Sequence, residues 1–140
     1  MRGSVLMVLG VALYAQSVMA GGNAEAVENF VEAFNRHDVD AMLDVATEDI
    51  RWMSLADEQL SVETSNQAQL REAMADYFVN VPSARAEILS ITEIGPFVHT
   101  VEEAFWGSDG AEKSQCSMAV YELSGGRVRN VWYFPAHECR

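Results

Sequence analysis

The sequence predicts an α+β domain whose helices cover one face of a curved antiparallel sheet. Apolar residues recur at helical spacing in the first half of the chain, whereas the second half holds four runs rich in β-branched and aromatic residues. Asp109-Gly110 and Gly125-Gly126 separate the last three runs, as the turns of β-hairpins do. The length of 140 residues suffices for one domain with a core and is too short for two.

Residues 1–20 have the pattern of a secretory signal peptide. Arg2 precedes an apolar run from Val5 to Ala15, and small residues stand three and one positions before a cut after Ala20. The alternative is an uncleaved anchor, but the run is shorter than the roughly 20 residues that a membrane span needs. We therefore expect an exported protein, periplasmic or secreted, with one domain at 21–140 and no stable membrane span after cleavage.

Three helices are expected from the apolar spacing. The first covers about 24–36, and Asp38 can cap a second, shorter helix that runs to Val45. The third covers about 66–80 and stops before Pro82. Their apolar positions are Val27, Phe30, Val31 and Phe34 in the first helix, and Leu70, Met74, Tyr77, Phe78 and Val81 in the third.

The remaining segments are expected to be strands. Residues 48–54 form the first, and the polar stretch 57–65 is a candidate for a short second strand. The four later runs are 85–94, 97–106, 114–123 and 127–134. An antiparallel meander therefore follows the helices.

Acidic residues dominate the expected mature chain. The full sequence has nine basic and 21 acidic residues, so the loss of Arg2 leaves eight against 21. Because such a surface repels phosphate backbones, nucleic acid is a poor partner.

The two cysteines, Cys116 and Cys139, can pair in an oxidising compartment or remain free. A disulfide between them would tie the C-terminal tail to the sheet. Their spacing fits no zinc pattern, and the three histidines are scattered, so no metal is expected. The sequence has no phosphate-binding glycine loop and no dinucleotide fingerprint, and we expect no cofactor.

Three stretches together resemble the nuclear-transport-factor-2-like superfamily, particularly its SnoaL-like branch. They are "FVEAFNRHDVDAMLDVATEDIRW" at the start, "QLREAMADYF" at the third helix and "VYELSGGRVRNVWYF" at the end. The likeness covers nearly all of residues 24–135. It implies a cone, in which a strongly bent sheet wraps round a helix and encloses an apolar cavity. Members are commonly dimers through the outer sheet face, and they include isomerases, cyclases, dehydratases, hydrolases and binding or assembly domains.

The ketosteroid-isomerase-like members of that superfamily need a tyrosine, an aspartate base and a protonated aspartic acid. Alignment of the resembling stretches places these three positions on Phe30, Ser54 and Ala119. Phenylalanine and alanine donate no hydrogen bond, and a serine hydroxyl is no base at neutral pH without an activator. Ketosteroid isomerase activity is therefore not expected.

A different acid–base pair is possible on the strand at 97–106. His99 and Glu103 lie four residues apart and face the same side, so they can share a proton if that side is the cavity. The opposite register places Val98, Thr100, Glu102, Ala104 and Trp106 inside instead. A two-residue turn at Asp109-Gly110 favours His99 outside, and a longer turn reverses this.

The expected pocket is lined mainly by aromatic side chains. These could equally form a plain core. The alternation of the last strand sends Val131 and Tyr133 inward and leaves Trp132 and Phe134 on the outer face, where a homodimer could cover them. The pocket candidates are Phe30, Phe34, Trp52, Ser54, Met74, Phe78, Ala119, Tyr121, Val131 and Tyr133.

Three functions remain open from the sequence. The leading hypothesis is a domain that binds a small apolar molecule in the cone without a recognisable catalytic set. The second is an isomerase, dehydratase or cyclase-type enzyme with a nonstandard acid–base pair. The third is a dimerisation or assembly module with a filled cavity.

Overall fold

The computed structural model describes residues 22–107 and 110–140. The predicted signal peptide and Asp109 of the predicted turn lie outside these residues. Three helices and six strands follow one another along the chain. They are α1 (Gly22–Asn35), α2 (Val39–Asp44), β1 (Ala46–Ala56), β2 (Gln59–Thr64), α3 (Gln67–Asn80), β3 (Arg85–Ile94), β4 (Phe97–Trp106), β5 (Lys113–Ser124) and β6 (Arg127–Tyr133).

Local sequence signals set the ends of the two later helices. The Asp38 carboxylate accepts a hydrogen bond from the backbone N–H of Ala41 and caps α2. The Asn66 side chain does the same for Gln69 at the start of α3. At the other end of α3, Val81 donates its N–H to the Tyr77 carbonyl, and Pro82 follows at once.

The six strands form one sheet in the order β2-β1-β6-β5-β4-β3. All neighbouring pairs are antiparallel except β1 and β6, which run parallel. Register shifts on β1, β3 and β5 mark irregularities that bend strands and increase twist. The predicted α+β fold, with three helices on a strongly curved and mostly antiparallel sheet, is confirmed.

The inner face of the sheet packs on α1 to form the core. Phe30 and Val27 from α1 are almost fully buried, and they join Val98 from β4 and Val131 from β6 in one apolar cluster. The burial of these four side chains removes large apolar surfaces from water, which is the main stabilising term for a domain of this size. The helix therefore closes the wide side of the bent sheet.

The pairing of β4 with β5 decides which side chains of β4 point inward. Thr100 lies opposite Ala119, and the ladder continues without a shift to Trp106 and Lys113. A two-residue turn at Asp109-Gly110 predicts this same register, although β4 and β5 stop pairing before that turn. Val98, Thr100 and Glu102 are buried at 0%, 0% and 4% exposure as a result.

The C-terminal tail runs back along β5 after β6 ends. Phe134 donates its N–H to the Met118 carbonyl, and Cys116 exchanges two backbone hydrogen bonds of 2.8 Å with His137. A disulfide joins Cys116 to Cys139 across a sequence separation of 23 residues. The tail is thus held on the sheet by both backbone pairing and a covalent link.

His37 lies in the turn after α1 and is half-buried. Its backbone has a positive φ of 53°. The imidazole stacks on Phe78 with ring centroids 4.1 Å apart, and Nε2 lies 2.8 Å from the Ala84 carbonyl oxygen. His37 therefore serves to join the first turn to the start of β3.

No helix among residues 22–107 and 110–140 is long and apolar enough to cross a membrane.

Candidate functional site

A cavity of about 300 Å³ opens between the inner face of the sheet and the helices α1 and α3. Most of its wall is apolar, and aromatic side chains come from all three sides. The lining residues are Phe30, Val31, Phe34, Trp52, Met74, Tyr77, Arg85, Ala86, Glu102, Ala104, Ser117 and Tyr133.

Glu102 is a buried carboxyl group at the wall of this cavity. Its Oε1 accepts hydrogen bonds from the Thr100 hydroxyl at 2.7 Å and from the Tyr121 hydroxyl at 2.6 Å. Its Oε2 accepts one from the Tyr133 hydroxyl at 2.7 Å. Three hydroxyl donors compensate the loss of hydration that a buried carboxylate suffers.

Strand alternation brings these four side chains together. Thr100 and Glu102 are two residues apart on β4, so both point to the same face of the sheet. Tyr121 on β5 lies opposite Val98 and Val131, which fixes it on the inner face as well. Tyr133 follows Val131 by two positions on β6 and reaches the same carboxylate from the next strand.

Aromatic stacking holds the tyrosine that faces the cavity. The indole of Trp52 lies parallel to the Tyr133 ring, with centroids 5.1 Å apart and an interplanar angle of 16°. The Phe30 ring packs against Trp52, with ring centroids 6.1 Å apart. It also meets the Tyr121 ring edge-on, with centroids 6.3 Å apart. These contacts restrict the rotamers of both tyrosines and keep their hydroxyls on Glu102.

The two phenols remain protonated over the physiological range. Burial, and then the charge of the neighbouring Glu102, raise the pKa of Tyr121 and the pKa of Tyr133 well above the usual value. Both hydroxyls therefore act as hydrogen-bond donors and not as phenolate bases.

The arrangement supplies what an acid–base site in an apolar cavity requires. A carboxylate can accept a proton from a bound molecule, and the adjacent phenol can stabilise negative charge on a nearby oxygen. Glu102 is only 4% exposed, and burial of this kind strengthens the electrostatic effects of a carboxylate. Glu102 and Tyr133 line the cavity directly, whereas Thr100 and Tyr121 hold Glu102 from behind.

Five of the ten pocket candidates line the cavity, namely Phe30, Phe34, Trp52, Met74 and Tyr133. Ala119, Val131 and Tyr121 are instead fully buried in the core, although the Tyr121 hydroxyl reaches Glu102. Phe78 packs on His37 and Phe34. Ser54 donates a hydrogen bond to Glu63 at 2.7 Å in an exposed position, away from the cavity lining.

The pair His99 and Glu103 does not face the cavity, so its placement as a cavity acid–base pair is wrong. The β4 register turns both to the outer face, where His99 lies between Val120 and Thr92. Glu103 accepts a hydrogen bond from the exposed Ser114 hydroxyl at 2.6 Å. The carboxylate of the site is its chain neighbour, Glu102.

Sequence reasoning missed part of the lining for identifiable reasons. Glu102 and Ala104 belonged to the alternative register of β4, so the choice of register decided their inclusion. Ser117 lies four residues before Tyr121 on β5 and therefore points to the same face of the sheet. Val31 directly follows the predicted Phe30 in α1, and Tyr77 lies about one turn after the predicted Met74 in α3. Arg85 and Ala86 at the start of β3 carried no signal of this kind.

Glu103, Cys116 and Cys139 have potential metal-ligand atoms within 4.8 Å of one another. The two sulfurs are joined in the disulfide, so neither is a thiolate that could bind a metal.

Solved structures share this fold at low sequence identity. An uncharacterised cystatin-fold protein from Novosphingobium aromaticivorans has 24% identity and a TM-score of 0.71, over 81% of this chain and 97% of that one. An epoxide hydrolase of the LEH-like type from M. tuberculosis has 17% identity and a TM-score of 0.68, with 81% of each chain covered. The protein TerC, co-crystallised with polyporic acid, has 14% identity and a TM-score of 0.66, over 80% of this chain and 89% of that one.

No curated protein sequence matches the chain significantly. The family model of the SnoaL-like domain, in contrast, matches residues 27–131, which is most of the chain. The matched segment begins in α1 and ends in β6 at Val131. It contains Glu102, Thr100 and Tyr121 and most of the cavity lining, whereas Tyr133 lies two residues beyond its end. The resemblance seen in the sequence is confirmed, and the chain belongs to the SnoaL-like domain family.

Proposed function

We propose that the cone binds a small, largely apolar ring compound with its polar group directed at Glu102 and Tyr133. The single observation that carries this proposal is a buried carboxyl group at the wall of an otherwise apolar cavity. A pocket with an apolar lining and a few convergent polar groups is the usual form of a small-molecule site. The hollow cavity also favours this function over that of an assembly module with a filled core.

The size of the cavity limits the ligand. A cavity of about 150 Å³ lined by apolar side chains accommodates benzene. The 300 Å³ seen here is twice that volume and suits one or two fused rings. TerC, a protein of this fold, has been co-crystallised with the small molecule polyporic acid.

Binding can be tested directly with naphthalene-sized probes. Saturation-transfer NMR and calorimetry should detect 2-naphthol in the cavity, and Ala104→Trp should abolish the signal because the indole fills the space. Val79→Trp on the exposed side of α3 is the matched control, since Val79 is 80% exposed. If the two variants bind 2-naphthol equally well, the cavity is not the site.

A second candidate function is proton transfer on the bound molecule, as in isomerases, dehydratases and cyclases. It is favoured by the distance of 2.7 Å between Glu102 Oε2 and the Tyr133 hydroxyl at the cavity wall. In such a step the substrate C–H bond breaks and the proton moves to Glu102 Oε2. The electron pair passes to the carbonyl oxygen of the substrate. Once Oε2 carries the proton, the Tyr133 hydroxyl is free to donate to the enolate oxygen.

This chemistry can be tested by hydrogen exchange on 2-tetralone in D₂O, followed by NMR. The protein should accelerate exchange next to the carbonyl by more than tenfold over buffer. Glu102→Gln should remove the acceleration and Glu103→Gln should retain it. Equal loss in both variants, or retention in both, would exclude Glu102 as the base.

We also propose that the chain is exported and that its outer sheet face forms a homodimer. The Cys116–Cys139 disulfide supports export, because such bonds persist in oxidising compartments. N-terminal sequencing should find Gly21 first.

The dimer proposal rests on the apolar side chains of the outer sheet face. There, Trp132 lies beside Met53 and Val120, and Met118 is 38% exposed. Light scattering at micromolar concentration should find twice the mass of the chain, and a monomer would exclude the dimer.

A further inference from the structure

The hydroxyl protons around Glu102 determine which polar group a ligand must carry. The Glu102 network consists of Glu102 and the three hydroxyl residues that contact it. Thr100, Tyr121 and Tyr133 each have one hydroxyl proton, and all three hydroxyls lie within 2.7 Å of a Glu102 oxygen. A fourth contact of 3.0 Å joins the two tyrosine oxygens. Four contacts therefore share three hydroxyl protons, and this network has no spare hydroxyl proton to direct into the cavity.

The groups of this network that face the cavity are consequently acceptors, whereas the hydroxyls of Ser117 and Tyr77 elsewhere in the lining can donate. Glu102 and Tyr133 line it, whereas Thr100 and Tyr121 are fully buried behind them. If Tyr133 donates to Oε2, its oxygen lone pairs and one lone pair of Oε2 remain open. If Tyr133 donates to Tyr121 instead, Oε2 is left without a donor. Both arrangements present unpaired acceptors to the ligand.

The charged groups around the cavity point to an uncharged ligand. Glu102 adds a carboxyl group to a wall that is otherwise largely apolar. The cationic lining residue, Arg85, binds Glu87 at 2.7 Å and Glu112 at 3.3 Å, so its guanidinium is already paired. An anionic ligand would meet Glu102 without a free cation from Arg85 to compensate it.

On the basis of the proposed binding function, we propose that the natural ligand is a neutral hydrogen-bond donor, a phenol or an enol with one or two fused rings. Its hydroxyl group donates to Glu102 Oε2 or to the Tyr133 oxygen. Its rings occupy the space between Trp52 and the aromatic side chains of α1 and α3. Ethers and carboxylates of the same size lack the donor that this position requires, and a ketone supplies it only as its enol.

The test compares three probes that differ only at position 2 of naphthalene, measured by calorimetry with the wild-type protein. 2-Naphthol donates a hydrogen bond, 2-methoxynaphthalene only accepts one, and 2-naphthoate is an anion. We expect 2-naphthol to bind at least tenfold more tightly than either of the others, as for a hydrogen bond to a carboxylate. Equal affinity of 2-naphthol and 2-methoxynaphthalene, or tighter binding of 2-naphthoate, overturns the proposal that the ligand is a neutral hydrogen-bond donor. Either result leaves the proposed binding function intact. Failure of all three to bind overturns both.

Glu102→Gln provides the reciprocal experiment. An amide brings two N–H groups to the position of the carboxylate, so one of them can point into the cavity. The variant should lose its preference for 2-naphthol and bind 2-methoxynaphthalene at least as well. Glu103→Gln is the matched control, because it makes the same change on the outer face of β4, away from the cavity, and should retain the preference. A Glu102→Gln protein that still prefers 2-naphthol tenfold contradicts the proposal.

Discussion

The two faces of β4 carry similar chemistry and have opposite roles. On the inner face, Thr100 and Glu102 are buried, and Glu102 accepts hydrogen bonds from Thr100 and from two tyrosines. On the outer face, His99 and Glu103 are only partly buried, and Glu103 contacts the exposed Ser114. Neighbouring residues on one strand thus form a site on one side and an ordinary surface on the other.

The difference between these faces comes from the surroundings of each carboxylate. Water and salt screen Glu103, so its contacts contribute little energy and little chemical selectivity. Glu102 is shielded from water and its hydrogen bonds are correspondingly strong. A carboxylate becomes useful to a ligand when the fold buries it and supplies its donors.

The largest effect on this comparison is expected from the core beneath the inner face. Phe30→Ala should lower the free energy of unfolding by about 3–5 kcal/mol, because Phe30 is 1% exposed and contacts both Trp52 and Tyr121. Val79→Ala on the exposed side of α3 should change it by less than about 0.5 kcal/mol. Urea unfolding measures both, and a loss below about 1 kcal/mol for Phe30→Ala would show that the inner face is loosely packed.

The disulfide gives the outer face its own contribution to stability. Reduction, or the double variant Cys116→Ser/Cys139→Ser, should lower the free energy of unfolding by about 3 kcal/mol, as expected for a closed loop of 23 residues. The reductant should have no effect on the double variant, which serves as the control. Equal stability of the oxidised and reduced wild-type protein would indicate that the tail pairs with β5 without help from the disulfide.

A smaller effect separates the two carboxylates themselves. Tyr121→Phe leaves Glu102 Oε1 with Thr100 alone and should cost about 1–3 kcal/mol, since a buried acceptor loses a donor. Ser114→Ala removes the donor to Glu103 in an exposed position and should cost less than about 0.5 kcal/mol. Similar costs in the two variants would remove the distinction between the faces.

The smallest effect is expected at alkaline pH. Because the folded protein raises the pKa of Tyr121 and of Tyr133, the unfolded chain releases these protons near pH 10 while the folded chain retains them. The contribution of these two tyrosines to the free energy of unfolding should therefore be constant below about pH 10. It should decrease as the pH rises above about 10. Urea unfolding between about pH 9 and 11 measures the slope, which Tyr121→Phe/Tyr133→Phe should reduce.

Much of the fold was predictable because periodicity and turn residues act locally. Asp38 as a cap, Pro82 as a stop and Gly125-Gly126 as a turn specify element boundaries within a few residues. The parallel pairing of β1 with β6 joins distant parts of the chain, and no local pattern encodes it.

The site was less predictable because it depends on register. A shift of one residue exchanges Glu102 for Glu103 at the cavity, and both are glutamates on the same strand. Tyr121 was correctly placed on the inner face but lies behind the cavity wall, since α1 packs over it. His37 packs on Phe78 and has a positive φ, and no local pattern in the sequence around it indicates this contact.

The most direct measurement is the structure of the protein crystallised with 2-naphthol. Our interpretation places the naphthol ring in the cone beside Trp52, with its hydroxyl oxygen within hydrogen-bond distance, about 2.5–3.0 Å, of Glu102 Oε2 or the Tyr133 oxygen. A naphthol bound on the outer face near His99 and Glu103, or one with its hydroxyl turned away from Glu102, would contradict the assignment of this carboxylate as the functional group.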